Sequence, residues 1–171
     1  MGRCGSFFWK IRSYVMSDCV PSPSSDSSYA SSSATKSSSG SSASPTCEIS
    51  LLERLIRTHP IWFLPSLQRS GALHLLQGRE VGNFIVRSST QPLTMALSVK
   101  LPGNHVEHYL LKAIGNRIAL ENSTHTFETV HQLIAHYCDV SDEIPVCLRV
   151  PTAIAEAVSR QQLRSYALLG Q

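Results

Sequence analysis

Gly82-Asn83-Phe84-Ile85-Val86-Arg87-Ser88-Ser89, near the middle of a 171-residue chain, joins two things that seldom meet. Phe84, Ile85 and Val86 are three large apolar residues in a row, the pattern of a strand covered on both faces. Arg87 completes the run, and arginine is almost never fully buried without a partner. No Asp or Glu occurs between Val81 and Val106, so no carboxylate lies nearby in sequence. Ser88, Ser89 and Thr90 follow at once and add hydroxyl donors ahead of the turn residue Pro92. A guanidinium fork beside hydroxyls and turn N–H groups is a donor set that lacks an anion. Phosphate fits it through two charge-assisted bonds worth about 1.5–3 kcal/mol each. The alternative is a salt bridge to a distant acid such as Glu107 or Glu128.

The flanking sequence places this run in a sheet. Residues 83–88, 93–101, 106–113 and 117–121 read as strands, bounded by Gln91-Pro92, Pro102-Gly103-Asn104 and Gly115-Asn116. Gly115-Asn116 suits a tight antiparallel hairpin. On the N-terminal side, Ile49, Leu52, Leu55 and Ile56 form an apolar stripe, which predicts a helix over 47–57 with Thr46 as N-cap. His59-Pro60 is expected to end it. A second helix is expected over 71–77, from Ser70 as N-cap to Gly78 as left-handed stop. A third is expected over about 128–138, where Val130, Leu133, Ile134 and Tyr137 recur at helical spacing. Residues 144–150 read as one last short strand. The fold class is therefore α+β, a central antiparallel sheet flanked by two helices. Past Pro151 a helical tail is expected, with Ser159 and Gln162 at capping-box spacing and Gly170 as its stop.

Composition divides the rest. Between Pro21 and Pro45, 14 of 25 residues are serine and none is Leu, Ile, Val or Phe. Such a segment cannot bury enough apolar surface to fold. The expected organisation is a disordered Ser-rich segment over 1–45, a lead-in helix over 46–60, a domain over 61–151 and a helical tail over 152–171. From Cys47 onward there are 11 Lys and Arg against 10 Asp and Glu, with no basic stripe, which argues against nucleic acid. No apolar run approaches the roughly 20 residues that span a bilayer, and no signal sequence is legible. Five widely spaced cysteines without a CxxC read as free thiols in a reducing compartment.

The octapeptide also resembles the G-x-F-L-V-R-x-S signature of Src-homology-2 (SH2) domains. The similarity runs from Ile61-Trp62-Phe63 to about Pro151. It includes Leu97-Ser98-Val99, Val106-Glu107-His108-Tyr109, and Phe127 with Leu133-Ile134 and Tyr137. The resemblance implies an SH2 fold and phosphotyrosine-peptide binding. Arg87 would be the buried arginine on the phosphate, and Arg69 a first-helix arginine touching phosphate and ring, although a solvated surface arginine is the alternative there. Ser89 and Thr90 would donate to phosphate oxygens, and His108 would line the wall. Two positions depart from the family pattern. Leu110 stands where many members have lysine, which implies a less basic pocket, and Pro65 stands where glycine is common.

A narrower resemblance starts outside the domain. Ser50-Leu51-Leu52-Glu53-Arg54-Leu55-Ile56-Arg57-Thr58-His59-Pro60-Ile61-Trp62 is similar to the lead-in of the Ras and Rab interactor and sprint family. Leu101-Pro102, Val150-Pro151-Thr152-Ala153-Ile154 and Leu168-Leu169-Gly170 are similar to that family too. Its members are endocytic signalling proteins that combine this SH2 domain with proline-rich, Rab-exchange and Ras-associating regions. The resemblance implies a non-catalytic module without a cofactor, in a short isoform or fragment that lacks the exchange and Ras-associating domains. Implied partners are tyrosine-phosphorylated receptor or kinase peptides, with parental links to Ras and endosomal Rab GTPases. The implied location is cytoplasmic, peripheral at plasma or endosomal membranes. The competing reading is a membrane-tethered or phosphorylation-independent regulatory fragment that binds unphosphorylated partners.

Two weaker signals remain. Met1-Gly2-Arg3-Cys4-Gly5-Ser6 fits an N-myristoylation pattern, with Gly2 as acceptor and Cys4 placed for a second acyl chain. Of the histidines, His105 and His108 fall on opposite strand faces, and His131 and His136 are five apart on a helix. No pair shows zinc spacing.

Overall fold

The computed structural model describes residues 48–170. The Ser-rich segment, the Thr46 cap, Gly2 and Cys4 lie outside the described residues. Four strands, β1 (Phe84–Ser88), β2 (Thr94–Lys100), β3 (Val106–Ile114) and β4 (Arg117–Leu120), form one antiparallel sheet in sequential order. They fall within a residue or so of the strands expected from the sequence. Among the described residues, six helices accompany them: α1 (Leu51–Arg57), α2 (His59–Trp62), α3 (Arg69–Leu76), α4 (Val130–Asp139), α5 (Thr152–Ala155) and α6 (Arg160–Leu169).

Register decides what each sheet face carries. Val86 pairs with Leu97, and Leu97 with Tyr109, so Val86, Leu97, Val99 and Leu111 project to one face. There they share the main core with Trp62, Leu133, Ile134 and Tyr137. The opposite face holds a smaller cluster of Leu76, Ile85 and Val106, with Leu64 and Leu67 packed against it. Arg87, two residues from Ile85, points to this second face. The octapeptide's glycine also has a physical reason. Gly82 has φ +90°, and a Cβ there would sit 2.4 Å from the Cys147 carbonyl oxygen.

The lead-in and the tail pack together. α1 contacts α4, α5 and α6, and α2 contacts α6. Leu55 is fully buried in the main core, where truncation to Ala should cost about 2–5 kcal/mol. Arg54 donates to the carbonyls of Ile49 (3.2 Å), Ile154 (2.8 Å) and Ala157 (2.8 Å), tying α1 to the tail. Ser159 caps α6 as expected, its hydroxyl accepting from the Gln162 N–H.

Four expectations need correction. α1 starts at Leu51, because Ser50 takes the cap and accepts from the Glu53 N–H. His59-Pro60 does not end helical structure: Thr58 closes α1 and Pro60 occupies the first turn of α2, where its missing N–H costs nothing. α3 begins at Arg69 rather than after Ser70, since the Gln68 carbonyl accepts the first helical bond, from the Ala72 N–H. Residues 144–150 form no strand. Pro145 has no N–H, and the bonds nearby go singly, Leu148 N–H to Tyr137 O and Arg149 N–H to Gly82 O. Ile144 and Leu148 are buried all the same, so the run is apolar for packing and not for pairing.

Candidate functional site

The second sheet face becomes a pocket because β2 is small where it faces Arg87. Ala96 is the direct partner of Arg87, and Ser98 stands two residues further along the same face. Arg87 lies beside these short side chains and is 6% exposed as a residue. Its Nε donates to Ser98 Oγ at 3.3 Å, and its Nη1 to the Ser88 carbonyl at 3.1 Å. Both acceptors are neutral. Among the described residues no carboxylate lies within ion-pair distance of Arg87, and neither Glu107 nor Glu128 pairs with it. Burial, and then the charge of Arg69, push the Arg87 pKa downward. The cation is held at a cost that an anion would offset.

Ser98 has a further consequence. Its oxygen accepts from Arg87 Nε, so its own proton is free for His108 Nδ1, 2.8 Å away. That fixes the His108 tautomer, with the proton on Nε2. The ring stays neutral, its pKa lowered to about 4 by burial first and then by Arg69, Arg87 and His105, with Glu107 opposing. His108 Nε2 is buried without a hydrogen-bond partner, so a donor is left unspent beside the arginine. Of the functional side chains, Ser98 is the one that sequence reasoning missed. The available signal was register, because Ile85, Ser98 and His108 stand abreast on three adjacent strands.

A cleft of about 460 Å³ opens above Arg87. All five pocket residues expected from the sequence, Arg69, Arg87, Ser89, Thr90 and His108, line it. Arg69 comes in from the first turn of α3. Ser89 Oγ accepts from the Gln91 N–H at 3.2 Å and keeps its proton to donate. Ala96 and Leu110 add apolar wall, Tyr109 borders the cleft between Leu110 and His108 while its side chain packs against the main core, and Gln91, Glu121 and Asn122 complete the rim. Leu110 thus offers a flat apolar contact in place of a charge. Glu121 would repel an anion, but Lys112 pairs with it at 2.6 Å. The arrangement is a cationic floor with neutral donors beneath partly apolar walls. It suits a phosphate carried on an aromatic stem.

Comparison with known proteins gives the family. The SH2 domain family model matches residues 62–137. Protein sprint of Drosophila melanogaster is 55% identical over 131 residues, covering 75% of this chain and 7% of that protein. Human Ras and Rab interactor 2 is 37% identical over 125 residues, covering 71% of this chain and 14% of that protein. The solution NMR structure of the Monosiga brevicollis CRK/CRKL homolog SH2 domain aligns with a TM-score of 0.47 and 29% identity, over 66% of this chain and 97% of that one. The chain therefore spans 7% and 14% of the length of the two curated relatives.

Proposed function

Residues 62–137 place this chain in the SH2 domain family, with homology to Sprint and to the Ras and Rab interactors, and from that premise we propose that its cleft binds phosphotyrosine peptides. One observation carries the reading. Arg87 is buried at the floor of the cleft, spends two donors on neutral oxygens, and pairs with no carboxylate among the described residues. A phosphate above it would take the remaining donors, together with the Ser89 hydroxyl and Arg69. The aromatic ring would lie against Leu110 and the pocket wall. A phosphoserine has too short a stem to bring its phosphate to that floor.

The reading is of a binding module and not of an enzyme. We further infer that it serves a longer protein of the Sprint and Ras and Rab interactor type, where it brings GTPase-directed regions to phosphorylated receptors or kinases at the cytoplasmic face of plasma or endosomal membranes. By itself the chain should leave nucleotide release from Ras and Rab GTPases unchanged.

Calorimetry with one peptide in three forms tests the pocket: tyrosine-phosphorylated, unphosphorylated and serine-phosphorylated. Saturable binding of the phosphotyrosine form alone is expected. Equal binding of the unphosphorylated form would favour a phosphorylation-independent module and reject the proposal.

A further inference from the structure

The loop after β4 and the loop after α4 meet at a cluster that the sequence spacing does not reveal. One potential ligand atom from each of His125, His136 and Asp142 lies within 4.8 Å of the others. His136 is on α4, and its Nε2 is buried with no hydrogen-bond partner. The His125 and His136 ring centroids are 5.2 Å apart, tilted by 42°. Asp142 spends Oδ1 on the Glu143 N–H at 2.7 Å, which leaves Oδ2 facing His125 Nδ1 at 3.7 Å.

We propose that His125, His136 and Asp142 form a divalent transition-metal site of the zinc class, joining these two loops across the end of α4. Two imidazoles and one carboxylate are a borderline donor set, suited to zinc rather than to magnesium or calcium. Zinc–ligand bonds of about 2.0–2.2 Å put tetrahedral donors roughly 3.4 Å apart, so separations of up to 4.8 Å must close by at most about 1.4 Å. Side-chain rotation can supply that closure, because the His125 side chain is 48% exposed and the Asp142 side chain 34%, while α4 holds His136. The fourth position falls to water or to Glu143. The Glu143 Oε1 is 3.2 Å from His125 Nδ1, and its carboxylate is already aimed by Ser123 and Tyr137. Bound metal would pin one loop to the other. The site does not depend on the phosphotyrosine reading, since it shares no residue with the arginine cleft.

The test is calorimetric titration of the metal-stripped chain with zinc chloride, with no peptide present. One-to-one binding is expected in the wild type. His125→Ala and Asp142→Asn, both on exposed loops, should each weaken it by about 100-fold or more, beyond the 10–100-fold typical of outer-shell changes. Zinc should also displace the His136 ring signals in NMR spectra. Absence of binding, binding that both variants retain, or His136 signals that stay in place at zinc saturation would each overturn the proposal.

Discussion

Two arginines, Arg54 on the lead-in helix and Arg87 on β1, both donate to neutral oxygens of the fold, and they differ in what they leave over. Arg54 donates to three backbone carbonyls, those of Ile49, Ile154 and Ala157, and so locks the lead-in helix to the tail. Its hydrogen bonds are made within the fold. Arg87 is the more buried, yet it holds only a serine hydroxyl and one carbonyl, and the rest of its fork faces a cleft. A guanidinium answered by its own chain stabilises; one left partly unanswered binds. Charge does not separate the two, but the acceptors do: Arg54 meets three carbonyls, and Arg87 one hydroxyl and one carbonyl.

The largest expected effect breaks the pocket and spares the fold. Arg87→Lys keeps the charge but loses the fork, so phosphotyrosine-peptide affinity should fall by about 100-fold for the loss of one charge-assisted bond. Calorimetry reads the affinity, and the melting temperature should hardly move. The reverse substitution pattern belongs to Arg54. Arg54→Ala should cost about 2–3 kcal/mol in denaturant unfolding, because three carbonyls lose their donor. Peptide affinity should stay within twofold, about 0.4 kcal/mol. If either substitution moves both quantities equally, the contrast between the two arginines collapses.

Acid should strike both regions. His108 in the pocket, and His59 and His131 between the lead-in and α4, each have their pKa lowered from 6.5 to about 4, with burial the leading cause. His59 Nδ1 and His131 Nε2 share a hydrogen bond at 3.0 Å. Between pH 6.5 and 4 the unfolded chain takes up protons that the native state refuses. Stability is therefore full above pH 6.5 and is lost as pH falls toward 4. The buried His131 alone should account for about 2 kcal/mol at pH 5, read from denaturant midpoints at pH 7 and pH 5. The smallest effect sharpens the pocket. Ser98→Ala cuts the link from Arg87 to His108 and should weaken peptide binding by about 5- to 10-fold, the worth of one ordinary hydrogen bond.

The sequence made the sheet legible because its strands alternate with turn residues that have little other use. Arg87 was legible because no acid lies near it in the chain. What escaped was set by contacts between distant residues. Ser50 and not Thr46 caps α1, and one hydroxyl residue looks much like another until the first helical turn is placed. Residues 144–150 carry the apolar content of a strand, but their backbone finds scattered single partners on α4, at Gly82 and at the Asn83 side chain. The bond from Ser98 to His108 depends on register between β2 and β3, and the meeting of His125, His136 and Asp142 depends on two loops converging. Spacing along the chain carries neither.

Whether Arg87 holds the phosphate is read by following its Nε–H signal in NMR spectra while a phosphotyrosine peptide is added. A large displacement that saturates at one peptide per chain is expected, with His108 moving on the same curve. An Arg87 signal that stays fixed while the peptide binds would place the phosphate elsewhere and contradict that role.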